Sequence, residues 1–254
     1  MTTDTDVLFP ASRVSEKGKH LVASLGDRVA CGLSAGSGAS LNPKTWVNED
    51  SVSAHRLPDG SLLAAVADSH WGGAAGEVVV QACRSAFEKT RGATTLDRLH
   101  LALRGIDARL HLERQPGDGS ETTALLVHLA GRALTWVSVG DSLLFLLSPR
   151  ACSLRNPPSG QFPLPFLGAM PMARLPGHLR PDSGALTLKP GEVVLLASDG
   201  LDVSTSALEP SDVVQILCAQ EPLQARVERL LARADEPARG GGADNLGVVA
   251  IEVT

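Results

Sequence analysis

Five short stretches place an acid beside small or polar residues at the edge of an apolar run. They are Asn48-Glu49-Asp50, Ala67-Asp68-Ser69-His70-Trp71-Gly72-Gly73, Gly140-Asp141-Ser142, Ala197-Ser198-Asp199-Gly200-Leu201 and Ala243-Asp244-Asn245. A single aspartate at a strand end is an ordinary turn former, and Asp or Ser there can also cap a helix. Five such acids brought to one cleft would repel one another, because crowding carboxylates away from water either raises a pKa or demands a counter-charge. Oxygen donors without a Cys or His cluster select hard divalent ions, Mg²⁺ or Mn²⁺, over zinc. The set therefore implies a carboxylate-held metal centre.

The elements that must position these acids alternate along the chain. Residues 61–67, SLLAAVA, follow the turn Pro58-Asp59-Gly60 and stop at Asp68, as a buried strand would. Val79, Ala82, Cys83, Ala86 and Phe87 then recur at helical spacing over 75–90. Leu96, Leu99, Leu103, Ile106 and Leu110 do the same behind Thr94 or Thr95 as N-cap. After Pro116-Gly117-Asp118-Gly119 come TTALLVHL, ALTWVSV and SLLFLL. Their short links predict antiparallel neighbours, since parallel ones need a crossover of about a dozen residues or more. EVVLLAS at 192–198 and LGVVAIEV at 246–253 read as further strands. Helices are expected near 211–219 and 222–234 between them, the second with Pro222 in its first turn. Residues 156–181, rich in Pro and Gly yet carrying Phe162, Phe166, Leu167 and Met170, read as a flap that packs on the body or touches a partner.

The 254 residues are 43% hydrophobic but only 3% aromatic, with no Tyr, so the core must be assembled from Ala, Val and Leu. A net charge of −5 argues against nucleic-acid binding, which needs a basic surface. Residues 1–20 lack the apolar stretch of an export signal, and no later run reaches the ~18 apolar residues of a membrane span. Cys31, Cys83, Cys152 and Cys218 are scattered and expected to be reduced thiols. A cytoplasmic protein that binds no membrane is the expectation. His100 and His111 fall on a predicted helix, and His20, His55, His128 and His178 lack partners at ligand spacing. Ser198 has no Gly-x-Ser-x-Gly elbow around it, which disfavours a serine hydrolase.

In order and interval, the five stretches resemble the motif series of the metal-dependent Ser/Thr protein phosphatases of the 2C type, bacterial branch, over residues 48 to 245. The resemblance implies an α+β fold: a four-layer α-β-β-α sandwich, two antiparallel sheets flanked by helix pairs, with the whole of 1–254 as one phosphatase domain. It implies two Mn²⁺ or Mg²⁺ ions between the sheets. Asp68 would bridge both, and Ser69 would offer its carbonyl where the family usually has Gly. Glu49 would hold one ion, and Asp199 and Asp244 the other. Asp50 would orient bound water, and Asp141 with Asp199 would hold a weaker third ion. The implied reaction is hydrolysis of phosphoserine and phosphothreonine in proteins, substrates of a Ser/Thr kinase, with His70 giving a proton to the departing alkoxide.

The chain departs from the pattern at a few places. Thr45 stands where the family carries a phosphate-gripping Arg, and the nearest cation, Lys44, reaches the site only if the strand bulges or slips register. A lysine there would act as a point charge rather than a fork. Leu143 and Trp71 also replace commoner residues, Trp71 being expected to wall the cleft, stack on a substrate or pack as core. Thr45 motivates an alternative function: a pseudophosphatase that binds a phosphoprotein partner without turnover.

Overall fold

The computed structural model describes residues 4–37, 47–114, 119–156, 166–174, 181–202, 206, 208–236 and 241–254. Two antiparallel sheets face each other. The first runs in the order β1 (Asp6–Phe9), β4 (Asp50–Arg56), β5 (Leu62–His70), β7 (Ala124–Ala130), β8 (Ala133–Val139), β11 (Asp182–Thr187), with β6 (Glu121–Thr122) beside the end of β5. The second runs β10 (Ala151–Leu154), β9 (Leu143–Ser148), β12 (Val193–Ala197), β13 (Leu246–Glu252), β3 (Val29–Ser34), β2 (His20–Ser24). Alternation then sorts the side chains. Val52, Ala54, Ala64 and Val66 of the first sheet meet Val194, Leu196, Val249 and Ile251 of the second in a core between the sheets.

The opposite face of each sheet is covered by two helices. On the first, α1 (Ala74–Lys89) and α2 (Thr95–Glu113) lay Val79, Cys83, Phe87, Leu99, Leu103 and Ile106 over Leu63, Ala65 and Ala67. On the second, α3 (Pro210–Leu217) and α4 (Leu223–Ala234) lay Leu217, Val227, Leu230 and Leu231 over Leu195, Val248 and Ala250. The α-β-β-α sandwich implied by the resemblance is therefore the observed fold. Thr94 is the N-cap of α2, its hydroxyl accepting from Asp97 N at 3.1 Å. Pro222 sits at the N-cap of α4 in an extended conformation, one step before the first turn expected for it. Among the described residues no helix is long and apolar enough to cross a membrane.

Two strand expectations also change. SLLFLL does not lie beside ALTWVSV: β8 pairs with β7 and β11, whereas β9 pairs with β10 and β12 of the other sheet. The link can change sheets because Gly140 adopts φ 90° and packs against Thr123, where a Cβ would lie 2.6 Å from the threonine methyl. The strand expected to stop before Asp68 instead continues to His70, so Asp68 lies inside a paired strand.

A partly buried polar cluster ties β1 and β4 to α1. His55 Nδ1 lies 2.7 Å from Asp6 Oδ1, which also accepts from Arg84 Nη1 at 2.7 Å, and His55 Nε2 lies 3.3 Å from Cys83 Sγ. Burial alone would lower the basicity of the imidazole. Contacts with Cys83 and Asp6 outweigh it and raise the pKa to about 9. Because the folded value exceeds the ordinary imidazole value of 6.5, the stabilisation is complete below pH 6.5 and disappears as pH rises through 9. Urea unfolding should therefore show about 1–3 kcal/mol lost between pH 6.5 and 9.5, and His55→Gln should flatten that slope. An unchanged slope in the variant would show that His55 does not carry it.

Candidate functional site

Register brings the first two acids together. Asp50 pairs directly with Asp68 across β4 and β5, so both carboxylates stand on the same face of the sheet. That face is the one carrying Val52 and Val66 into the space between the sheets. Like charges opposite each other weaken a sheet, so this pair requires compensation. Part of it comes from the second sheet, where Ser198 at the end of β12 donates to Asp50 Oδ2 at 2.5 Å and accepts from Gly247 N at 3.0 Å. Ser198, disfavoured as a nucleophile by its sequence context, is a positioning residue that spacing along the chain could not reveal.

Asp199 follows in a short 3-10 turn, Asp199–Leu201, close enough to Asp68 of the opposite sheet for the two carboxyls to act on each other. This turn sits hard against the start of β13. A Cβ on Gly200 would lie 1.8 Å from the Asn245 carbonyl oxygen, so only glycine permits the approach that brings Asp199 toward Asp244. Asn245 in turn accepts from Glu49 N at 2.9 Å and donates to Ala35 O at 3.2 Å, fixing the Glu49 backbone to the second sheet. On the other side, Thr123 Oγ1 accepts from Asp68 N at 2.9 Å and bonds Ser142 Oγ at 2.7 Å, which links Asp68 to the loop carrying Asp141.

The electrostatics follow. Burial pushes the Asp68 carboxyl well above the usual range, and Asp50, Asp199 and Asp141 push it further. Burial raises Asp50 likewise; the Ser198 hydrogen bond opposes this, while Asp244 and Asp199 add to it. Asp199 rises to about 6 through burial and Asp141. Burial also raises Asp141 and Asp244, with Glu49 adding to the latter. His70, two residues beyond Asp68 on the same strand face, exerts a positive influence on Asp141, Asp199 and Asp244. Its Nδ1 is 3.7 Å from Glu121 Oε1 of paired strand β6, and its ring lies 4.5 Å from that of Phe166.

Five of the expected acids thus interact with one another. Glu49 joins them through Asp244, while its Oε1 accepts from Gly72 N at 2.6 Å. The Ser69 hydroxyl turns to the helix side and accepts from Gly76 N at 2.8 Å. Lys44 and Thr45 lie outside the described residues, as do 157–165 and 175–180 of the flap. Its described part packs on the body: Leu167 bridges Thr122, and Gly168 N and Met172 N donate to Asp107. Among the described residues no three His, Cys, Asp or Glu side chains form a ready ligand shell. The donor chemistry still suits a hard divalent cation, because the donors are all oxygen. A groove of about 1300 Å³ beside α2, lined by His100, Arg104, Asp107 and Met172 among others, contains none of these acids.

Trp71 leaves β5 in the left-handed region at φ 67°, the only non-glycine residue with positive φ among those described. For a bulky side chain that costs about 1–2 kcal/mol. It is not a core piece: 53% of its surface is exposed.

A family model described as Stage II sporulation protein E (SpoIIE) matches residues 58–254. Among curated proteins none matches the sequence. Of solved structures, the chain resembles the catalytic domain of the serine/threonine protein phosphatase PstP in complex with two manganese ions, at 23% identity and TM-score 0.67, over 93% of this chain and 100% of that one. A PPM Ser-Thr phosphatase from Mycobacterium smegmatis, MsPP, in complex with cacodylate gives 22% identity and TM-score 0.67 over 94% and 100%. A bacterial serine phosphatase gives 15% identity and TM-score 0.72 over 89% and 97%. At these identities the likeness establishes the fold.

A raised carboxylate pKa means that charging the group opposes folding. Without added metal the favourable contribution of protonated Asp199 is complete below pH 3.8 and lost as pH rises through about 6. Metal-free protein carrying Asp199→Asn should be more stable than the parent at pH 7.5, by roughly 1–3 kcal/mol in urea unfolding, and level with it near pH 4. A variant less stable at pH 7.5 would mean that the acids do not repel.

Proposed function

We propose, from the premise that this chain belongs to the stage II sporulation protein E (SpoIIE) family, that it hydrolyses phosphoserine and phosphothreonine in proteins with the help of divalent cations. The observation carrying this reading is the register that sets Asp50 opposite Asp68 in one sheet, with Asp199 from the other sheet, Asp141 and Asp244 acting on them. Buried acids in such number are a cost to stability that a structural role does not repay. The proposed domain spans residues 1–254.

Asp68, Glu49, Asp199 and Asp244 would hold two ions, Mn²⁺ or Mg²⁺, with the Ser69 carbonyl beside them and Asp141 with Asp199 offering a weaker third position. Bound there, the ions would supply Lewis acidity for water activation and positive charge against the phosphoryl oxygens. The chain's own residues have distinct tasks. Ser198 and Gly247 hold the Asp50 carboxyl in a fixed orientation toward the seam, where it would orient bound water. Thr123 and Asn245 fix the backbones of Asp68 and Glu49. His70, half-exposed and lying against Glu121 and Phe166, would protonate the leaving alkoxide. Phosphoproteins made by a Ser/Thr kinase are the substrates this chemistry fits. The binding-only alternative rested on Thr45 and draws no support from the site geometry.

Purified protein with Mn²⁺ should release phosphate from a phosphothreonine peptide and lose the activity with EDTA. His70→Asn should lower kcat by about 10²–10⁴-fold while Mn²⁺ still raises the Tm. Turnover that persists in excess chelator would refute the metal-dependent reading; peptide binding without turnover would favour the pseudophosphatase.

A further inference from the structure

An acid interrupts the apolar stripe of α2. Asp107 follows Ile106, lies one turn from Leu103 and from Leu110, and is only 4% exposed. A carboxylate drawn from water among leucines is costly unless hydrogen bonds replace what it loses. Here they come from a distant part of the chain. Gly168 N donates to Oδ1 at 3.2 Å and Met172 N to Oδ2 at 2.8 Å, so the two oxygens grip one segment at points four residues apart. Arg114, just beyond the end of α2, adds a third tie by donating from Nη1 to Gly168 O at 2.7 Å. Within the helix, His111 Nε2 stays 3.5 Å from Asp107 Oδ1, beyond an ordinary hydrogen bond.

The gripped segment ends at the site. Leu167 exchanges both backbone hydrogen bonds with Thr122, at 2.8 and 3.0 Å, and buries its side chain in the core beneath α1 and α2. Alternation then turns Phe166 to the opposite face, where its ring meets that of His70 at 4.5 Å. Among the described residues no hydrogen bond holds the imidazole, and Glu121 Oε1 at 3.7 Å is too far to fix its direction. A half-exposed ring held this loosely takes its orientation from the wall it lies against. We infer that Asp107 is a positioning residue: from inside α2 it holds the segment 166–172 so that Phe166 lies against His70 and keeps the imidazole aimed at the departing alkoxide. This rests on the phosphatase reading above, with His70 as its acid, and extends the working parts of the site to a helix on the other face of the sheet.

The test compares two substrates in full-length protein with Mn²⁺: a phosphothreonine peptide, whose alkoxide needs a proton to leave, and p-nitrophenyl phosphate, whose phenolate leaves without one. Phe166→Ala and Asp107→Ala should each lower the ratio of kcat on the peptide to kcat on p-nitrophenyl phosphate by about threefold to tenfold. The double variant should lower it no further than either single one, because both act through one contact. Asp107→Asn, which keeps an acceptor for one of the two N–H groups, takes the place of the alanine variant should that one fold poorly, with a smaller fall. An unchanged ratio in the Asp107 variant, whether kcat holds on both substrates or falls equally on both, would overturn the proposal, as would effects of the two changes that add. If the parent hydrolyses neither substrate, the phosphatase reading falls by itself. The placement of the ring is then decided by the rate at which diethyl pyrocarbonate modifies His70, followed by peptide mass spectrometry: a rise in both variants supports it, and an unchanged rate refutes it.

Discussion

The structure depends on carboxylates being held together across the seam between two sheets. Asp50 faces Asp68 within one sheet, and Asp199 reaches Asp68 from the other, all drawn away from water. Such groups cannot all be charged without a counter-ion, so the protein must tolerate shared protons or take up cations. Its tolerance comes from the surrounding frame. An apolar layer of Val, Leu, Ala and Ile sets the separation of the sheets, and one hydroxyl, Ser198, spans it to reach Asp50.

The topology explains why these acids meet at one end of the sandwich. Asp50 opens β4, Asp68 lies near the end of β5, Asp199 follows β12 and Asp244 precedes β13, and antiparallel pairing turns these positions toward the same edge. Asp141 joins them because the chain leaves the first sheet at Gly140 and enters the second at Leu143. Close backbone approach completes the arrangement at Gly200, where the turn carrying Asp199 presses on Asn245. The His70 imidazole then needs no element of its own: it shares a strand, and a face, with Asp68.

Much of this was legible in the residues. The helical stripes of α1 and α2 and the apolar runs of β5, β7, β12 and β13 carry strong periodic signals, and acids ending apolar runs pointed to a shared oxygen-rich site. What escaped had weak or non-local signals. β2 and β11 are sheet edges with mixed polarity, HLVAS and DSGALT, which lack the alternation of a half-buried strand. The extension of β5 through Asp68 and His70 runs against composition, since paired carboxylates are poor strand residues; a tertiary demand overrides the local preference. The change of sheet between β8 and β9 leaves no mark on apolar pattern, because both strands are apolar. Ser198 and Asn245 act through partners 148 and 196 residues away, a separation that spacing along the chain cannot show.

The most direct test of the shared-carboxylate seam is proton release on Mn²⁺ addition to metal-free protein, followed at pH 6 in weakly buffered solution. Carboxyls that hold protons because of mutual repulsion must surrender them to a cation, so about one proton or more per molecule should appear, and fewer from protein in which Asp199 is replaced by Asn. Mn²⁺ uptake with no proton release, or the same release after that replacement, would contradict the account.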